Sequence, residues 1–276
     1  ADADFDFVQD SGGFHNDWAD DHSLPAGYIM LDSAQHSRNA WFGTEDQVWL
    51  VNLRPEQYKE PPTDVMQKFA RDLNDNLADT NRLSDQAEVT RADLKEVRLR
   101  KPEAPFLQTF IEARILVRLQ RPISNPTGPA DWSGTASPTA DELVTRIIDR
   151  LDADSAFDRI ASEDFYRFMD PGRQHPCCIV LHDSSRMQDR HIGGTDHILH
   201  AFEIIFETRD EKRTDTERLY AFYDALRLRL EAEPRLNDRN GVLLARLVSA
   251  KQAFGREGKY LHDQMRCRVE VLAQYT

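Results

Sequence analysis

Two stretches of the chain place their hydrophobic and polar positions in the same order. In each, strand-like alternation is followed by apolar residues spaced three and four apart, which predicts an amphipathic helix, and then by further alternation. The matching apolar positions are Trp49, Val51 and Leu53 with Phe202, Ile204 and Phe206; Met66, Phe69, Leu73 and Leu77 with Leu219, Phe222, Leu226 and Leu230; and Ile111, Ala113, Ile115 and Val117 with Met265, Cys267, Val269 and Val271. The pattern indicates an internal duplication, and the alternative is a chance similarity of two unrelated α+β domains.

Each copy is expected to have the order β-β-α-β-β, with one helix laid across a sheet. The predicted fold class is therefore α+β, with two tandem sheet-plus-helix domains. The first copy is placed at 25–120 and the second at 139–276, and the segment 121–138 between them is predicted to be a linker because it is rich in Pro and Gly. Residues 1–24 are rich in Asp and are interpreted as an extended acidic arm.

The second copy is predicted to begin with an extra helix. Thr139 and Glu142 have the spacing of a capping box, in which each side chain hydrogen-bonds the backbone of the other residue. The apolar face of this helix is expected to consist of Val144, Ile147, Ile148 and Leu151.

Charge excludes some classes of function. Acidic residues outnumber basic ones 48 to 35, which gives a formal net charge of −13. Proteins that bind nucleic acid tightly need a basic face, whereas an acidic surface lets nucleic acid pass because like charges repel. The chain begins without the basic and apolar pattern of a signal peptide, and its longest apolar run, Cys177–Leu181, is far shorter than a membrane span.

Histidine and aspartate are densest in one segment, and we considered whether they form a metal or catalytic site. His197 and His200 are three apart in a predicted strand, which places them on opposite faces, and the helical HExxH pattern is absent. Exposed loop and strand-edge histidines are therefore the favoured interpretation, and no metal ligand is predicted. The segment contains His182, Asp183, His191, Asp196, His197 and His200.

Other candidate chemistry is weaker. Cys177, Cys178 and Cys267 do not suffice for a disulfide framework or a CxxC site, so they are expected to pack as small buried hydrophobes in a reducing compartment. Asp93 and Lys95 lie too close together for the separated carboxylates of a two-metal nuclease, which favours a charged strand face. Motifs for phosphate, dinucleotide or acyl-transfer sites are absent, so we predict no catalytic residue, no cofactor and no enzymatic activity.

An interface is the remaining candidate site. The polar segments 32–46 and 182–196 are predicted to be loops. They contain Arg38, Trp41, Arg186 and Arg190, residue types that are enriched at binding hot spots when exposed. The alternative for the Trp is partial packing in the core.

The order of elements from Asp141 onward resembles that of the tail terminator, or tail completion, proteins of tailed phages. The resemblance covers about half of the chain. It depends on the order of the elements and on the apolar and polar pattern of the strands, with no invariant motif. Its elements are the capped helix, the Cys177–Leu181 strand, a long polar segment, the Phe202–Phe206 strand, the helix around Leu219, the Val242–Ala250 strand and the alternating Arg266–Leu272 strand.

This resemblance implies a structural virion protein without catalytic residues. Family members form rings, usually hexameric, that cap the tail tube and present a surface to the head connector. The implied partners are other copies of the chain in a hexameric ring, the tail tube protein and the head-completion (stopper) protein, with DNA passing through the lumen. The internal duplication adds a second possibility for the ring, a trimer with pseudo-six-fold symmetry. The implied location is the neck of the virion, after assembly in the host cytoplasm.

Three alternatives stay open from the sequence. The chain is another connector or tail-tube component, a metal-dependent nuclease that uses the His and Asp residues of 182–197, or a regulatory module that dimerises through a sheet edge.

Overall fold

A computed structural model gives the architecture of most of the chain. The residues that it describes are 14–15, 26–38, 42–54, 63–79, 88–100, 110–122, 138–190, 196–210, 215–236, 241–257 and 259–275.

Ten strands occur in the described residues. They are β1 (Phe14–His15), β2 (Ala26–Arg38), β3 (Phe42–Arg54), β4 (Val89–Arg100), β5 (Phe110–Pro122), β6 (Phe165–Tyr166), β7 (Cys177–Arg190), β8 (Asp196–Asp210), β9 (Val242–Glu257) and β10 (Tyr260–Tyr275).

Three α-helices and two short 3₁₀ turns accompany these strands in the described part of the chain. The helices are α1 (Thr63–Asp79), α2 (Ala140–Asp152) and α3 (Thr216–Ala232), and the 3₁₀ turns are Ser155–Phe157 and Ser162–Asp164. None of the described helices is both long and apolar enough to cross a membrane.

The predicted fold class, α+β with two tandem β-β-α-β-β domains, is wrong. The described strands form a large mixed sheet in the order β4-β5-β3-β2-β9-β10-β8-β7-β6, with β1 paired to β2. Strands account for 59% of the described residues and helices for 26%, so the structure is mostly β. The physical reason is the length of the last two strands, each of 16 residues, which exceeds what one small sheet with a helix across it requires.

The chain groups into two compact units that are not its two halves. The first comprises residues 1–122, 209–217 and 251–263, and the second comprises the remaining stretches 123–208, 218–250 and 264–276.

The first unit has its core between α1 and the strands β3, β4 and β5. Phe69 and Leu77 of α1 are buried in this core, which explains the three-and-four spacing of the helix. Gly27 of β2 pairs with Phe14 of β1, and a Cβ at Gly27 would lie 2.3 Å from the Phe14 ring, so only glycine allows this approach. The other buried residues of the core are Val51, Leu53, Val89, Ile111, Ala113, Ile115, Val117 and Leu119.

The second unit has an aromatic centre. The ring of Phe157 stacks on Phe206 of β8 at 5.5 Å and on Phe222 of α3 at 5.7 Å. Helix α2 begins at the predicted capping box, since Thr139 and Glu142 form both hydrogen bonds of the motif. Leu219, Phe222, Leu226 and Leu230 of α3 are buried, which confirms the predicted apolar face of that helix.

The polar segments predicted as loops are mostly strand. Strand β2 extends to Arg38, which pairs with Gly43 of β3, and β7 extends to Arg190, which pairs with Asp196 of β8. In β7 the polar residues reflect exposure and not a loop. Residues 182–188 are all exposed, so a core covers neither face of the strand there.

Candidate interaction surface and histidine chain

Strand β7 changes character along its length. Cys177, Cys178, Ile179 and Val180 are buried, whereas every residue from 182 to 188 is exposed. Strand β6 pairs only with Cys178 and Ile179, so among the described strands the rest of β7 has β8 as its one neighbour. The outer side of β7 past Ile179 is therefore an open strand edge, which presents backbone donors and acceptors to another chain.

The four residues predicted as an interface have different outcomes. Arg186 is exposed on β7, and Arg190 ends the same strand, so the structure brings these two residues to one sheet edge. Arg38 ends β2 in the first unit. Trp41 lies outside the described residues, so its predicted role stays a prediction. The polar edge of β7 also exposes an apolar side chain, Met187, which is 57% exposed.

A β-bulge rearranges the side chains at the start of this exposed segment. His182 pairs with Phe202, but the next matched pair is Ser184 with Ala201, so the register shifts by one residue. Ser185 then lies opposite His200. Without the bulge, His182 and Ser185 would point to opposite faces, because side chains alternate along a strand. With the bulge, both lie on the face of the sheet that also contains His200.

A continuous chain of hydrogen bonds runs through this face. The Oγ atom of Ser185 lies 2.8 Å from Nε2 of His182 and 2.8 Å from Nδ1 of His200. On its other side, Nε2 of His200 lies 2.7 Å from the hydroxyl of Tyr275, which donates to the carbonyl oxygen of Pro138. We call these four side chains, His182, Ser185, His200 and Tyr275, the histidine chain.

The direction of every hydrogen bond in the histidine chain follows from the bond between Tyr275 and the carbonyl of Pro138. A carbonyl oxygen only accepts, so the Tyr275 hydroxyl donates to Pro138 and its oxygen accepts from Nε2–H of His200. A neutral imidazole has one ring proton, so Nδ1 of His200 is unprotonated and accepts from the Ser185 hydroxyl. The Ser185 oxygen then accepts from Nε2–H of His182.

Burial differs sharply between the two histidines. His200 is 4% exposed, and desolvation, together with the nearby His182, lowers its pKa from the usual 6.5. His182 is exposed. The prediction of solvent-exposed histidines is therefore wrong for His200, whose ring packs against those of Phe202 and Tyr275, and right for His182. His197 is half-buried on β8, and His191 lies outside the described residues.

A buried carboxylate forms a second polar cluster in the second unit. Glu207 of β8 is 0% exposed and accepts two hydrogen bonds from Nη2 of Arg173, at 2.7 and 2.8 Å. Nε2 of His175 lies 2.7 Å from the same carboxylate, and Nε2 of Gln264 donates to it at 2.6 Å. The guanidinium compensates the buried charge, which indicates a structural ion pair.

The remaining sequence candidates are accounted for by packing and surface charge. All three cysteines are buried, as predicted, and desolvation raises the pKa of each thiol, that of Cys177 to about 12. A thiol with such a pKa is not a nucleophile at neutral pH. Asp93 is paired with Arg91 at 2.6 Å and with Lys95 at 3.1 Å on the surface of β4, as expected for a charged strand face.

Sequence reasoning missed the histidine chain and the Glu207 cluster for separate reasons. Nothing in the composition of 180–186 marks a bulge, so the contact of His182 with Ser185 and His200 had no signal in the sequence. Glu207 follows the apolar run at 204–206, and an acidic residue in that position, with Arg173 and His175 before the preceding strand, was a usable signal for a buried ion pair.

Comparison with known proteins adds no identification. No protein family matches the chain, and no match is found among curated proteins.

Proposed function

We propose that this chain is a structural subunit of a virion neck: a ring-forming tail terminator that caps the tail tube and joins it to the head connector, and that has no catalytic role. Its partners in this proposal are further copies of itself, the tail tube protein and the head-completion protein. Its place is the assembled virion.

The observation that supports this proposal most is the open edge of β7. A ring closes when each subunit contacts the next through two different surfaces. A long strand edge is suited to such a contact, because its backbone groups pair with the next chain while its side chains select the partner. The edge from His182 to Gln188 is exposed and includes Arg186 and Met187.

Charge supports the same function. The chain has a formal net charge of −13, and a conduit for DNA must not bind the phosphate backbone as it passes. Six chains in a ring would match a six-fold tube directly. The trimer with pseudo-six-fold symmetry required two like domains in each chain, and the fold does not have that arrangement.

The test measures the mass of the purified chain by light scattering and images the same fractions by negative-stain microscopy. We expect discrete rings of about six chains, since closed cyclic assemblies have a fixed subunit number. A chain that stays monomeric at every concentration and does not bind tail tubes would overturn the proposal.

Two matched variants locate the contact. Met187 on the β7 edge is 57% exposed and Leu228 on α3 is 55% exposed, so an Asp at either place meets solvent in the free chain. Met187→Asp is expected to reduce the ring population by about tenfold or more, because a charge is then buried at the contact. Leu228→Asp is expected to leave the rings intact. Equal effects of the two variants would exclude the β7 edge as the contact.

A further inference from the structure

The histidine chain brings two ring nitrogens to one point at the protein surface. Nε2 of His182 and Nδ1 of His200 each lie 2.8 Å from the same atom, Oγ of Ser185. Their ring centroids are 5.7 Å apart and the rings are inclined at 53°. Two imidazoles that share one tetrahedral ion, each at about 2.0–2.1 Å, have centroids roughly 5 Å apart, so only a small adjustment separates the two arrangements.

His200 already has the environment of a metal ligand. A ligating histidine usually donates its second ring N–H to an oxygen, which fixes the tautomer and the ring orientation. Here Nε2–H of His200 donates to the Tyr275 hydroxyl at 2.7 Å, and Tyr275 is fixed in turn by the carbonyl of Pro138. The lone pair of Nδ1 is therefore directed toward Ser185, at the exposed end of the histidine chain.

The protonation states open to the two histidines also favour metal binding. Metals bind neutral imidazole, and the hydrogen bonds of His200 already place its proton on Nε2 and leave Nδ1 as an acceptor. Nε2–H of His182 donates to Ser185 in the absence of metal, and the exposed position of this side chain allows the change of tautomer from Nε2–H to Nδ1–H that makes the Nε2 lone pair available to the ion.

We propose that His182 and His200 bind a divalent transition-metal ion of the Zn²⁺ type through Nε2 and Nδ1, at the place where the Ser185 hydroxyl lies. The hydroxyl rotates aside when the ion binds, which is possible because Ser185 is exposed. Water completes the coordination. Imidazole is a preferred ligand of Zn²⁺, Cu²⁺ and Ni²⁺, so the site distinguishes these ions from Mg²⁺ and Ca²⁺, which prefer oxygen.

The bulge at His182 and Ser184 is what makes the site possible. A regular strand would place His182 and Ser185 on opposite faces, and only the inserted residue aligns them with His200. Bulges commonly redirect side chains in this way near functional sites.

The experiment measures Zn²⁺ binding to the full chain, prepared without a histidine tag, by competition with a chromophoric chelator. We expect one ion per chain, and Cu²⁺ at the same site is expected to give a paramagnetic resonance spectrum with coupling to imidazole nitrogen. His182→Ala, a change at an exposed position, is expected to weaken binding by about tenfold or more, and Tyr275→Phe by about 10-fold through the orientation of His200.

Two further variants separate a metal site from a purely structural hydrogen-bond chain. Ser185→Ala removes the central hydroxyl and is expected to bind Zn²⁺ at least as tightly as the unaltered chain, because the ion takes that position. His197→Ala changes a half-buried histidine on the same strand as His200 and is expected to leave binding unchanged. No binding of Zn²⁺ to the full chain, or equal losses with His182→Ala and His197→Ala, would overturn the proposal.

Discussion

His200 couples the protonation of one side chain to the stability of the second unit. Its pKa is lowered from 6.5 by burial and, to a smaller extent, by His182. The unfolded chain therefore binds this proton more tightly than the folded chain does. The free energy of unfolding should decrease as the pH falls through about 6.5 and should continue to fall until the lower pKa of the folded state is reached.

Urea unfolding of the wild type and of His200→Gln, measured between about pH 5 and 8, tests this expectation. The variant cannot titrate at this position, so the part of the pH dependence that belongs to His200 should be missing from it. Identical slopes for the two proteins would contradict the assignment.

Glu207 is the other residue whose environment leads to a prediction about stability. Its carboxylate is fully buried, and Arg173 is the guanidinium that compensates it. Arg173→Met should lower the free energy of unfolding by about 3 kcal/mol, because the buried carboxylate of Glu207 would lose the guanidinium that compensates its charge. Chemical denaturation measures this loss.

Two companion variants control the Arg173 experiment. Glu207→Gln added to Arg173→Met should recover part of the loss, since the buried charge is then gone. Arg268→Met removes an ion pair to Asp183 whose side chains are 47% and 48% exposed, so it should cost less than about 1 kcal/mol. Similar losses for the Arg173 and Arg268 variants would show that burial does not determine the cost.

At the residue scale, some environments were predictable and others were not. The alternation along β10 predicted correctly that Met265, Cys267 and Val269 are buried, because a two-residue period needs no knowledge of the partner strand. The same rule failed for His182, since the bulge breaks the period, and it gave no information about Glu207, whose partner Arg173 lies in an irregular segment.

Among the elements, helix α2 gives the most direct prediction. Its capping box satisfies two backbone N–H groups, with Glu142 N at 3.2 Å from the Thr139 hydroxyl and Thr139 N at 2.7 Å from the Glu142 carboxylate. Thr139→Ala should lower the free energy of unfolding by about 1 kcal/mol, because the first of these bonds is lost. Thr139→Ser keeps the hydroxyl and should be nearly neutral, and thermal unfolding of the two variants and the wild type measures the difference. An equal loss for both would exclude capping as the cause.

The sequence predicted elements better than it predicted their lengths. The capping box and apolar face located α2, and alternation located β5 and β10. The polar parts of β2 and β7 were interpreted as loops. In β7 the exposed stretch 182–188 has no covered face, so it has no alternating apolar positions to mark it as strand. Strand β7 therefore looked short in the sequence, although it continues to Arg190.

For the whole molecule, charge gives a prediction that is independent of any interface. A net charge of −13 should prevent binding of duplex DNA at about 0.15 M salt, because no excess of basic groups is available to release counterions. Fluorescence anisotropy of a labelled duplex measures this, with a basic DNA-binding protein as the positive control. Saturable binding that weakens with salt would contradict a conduit that lets DNA pass.

Strand neighbours were the part of the fold that the sequence did not provide. Periodicity shows which residues form a strand, but it does not show which strand lies beside which. Order along the chain suggested two separate sheets, whereas β2 and β9 are neighbours in the sheet that forms. Long-range pairing of this kind depends on the lengths and edges of strands, which local patterns specify poorly.

The buried cysteines have a practical consequence for studying the molecule. All three cysteines of the chain are inaccessible, and the pKa of each thiol is raised, so a maleimide should leave the folded protein unlabelled and should modify three thiols after denaturation. Leu228→Cys, at the exposed α3 position where substitution is expected to leave the rings intact, would then supply the sole reactive thiol. One fluorophore per chain at that place would report the separation between neighbouring subunits, without any need to engineer away the native sulfur atoms.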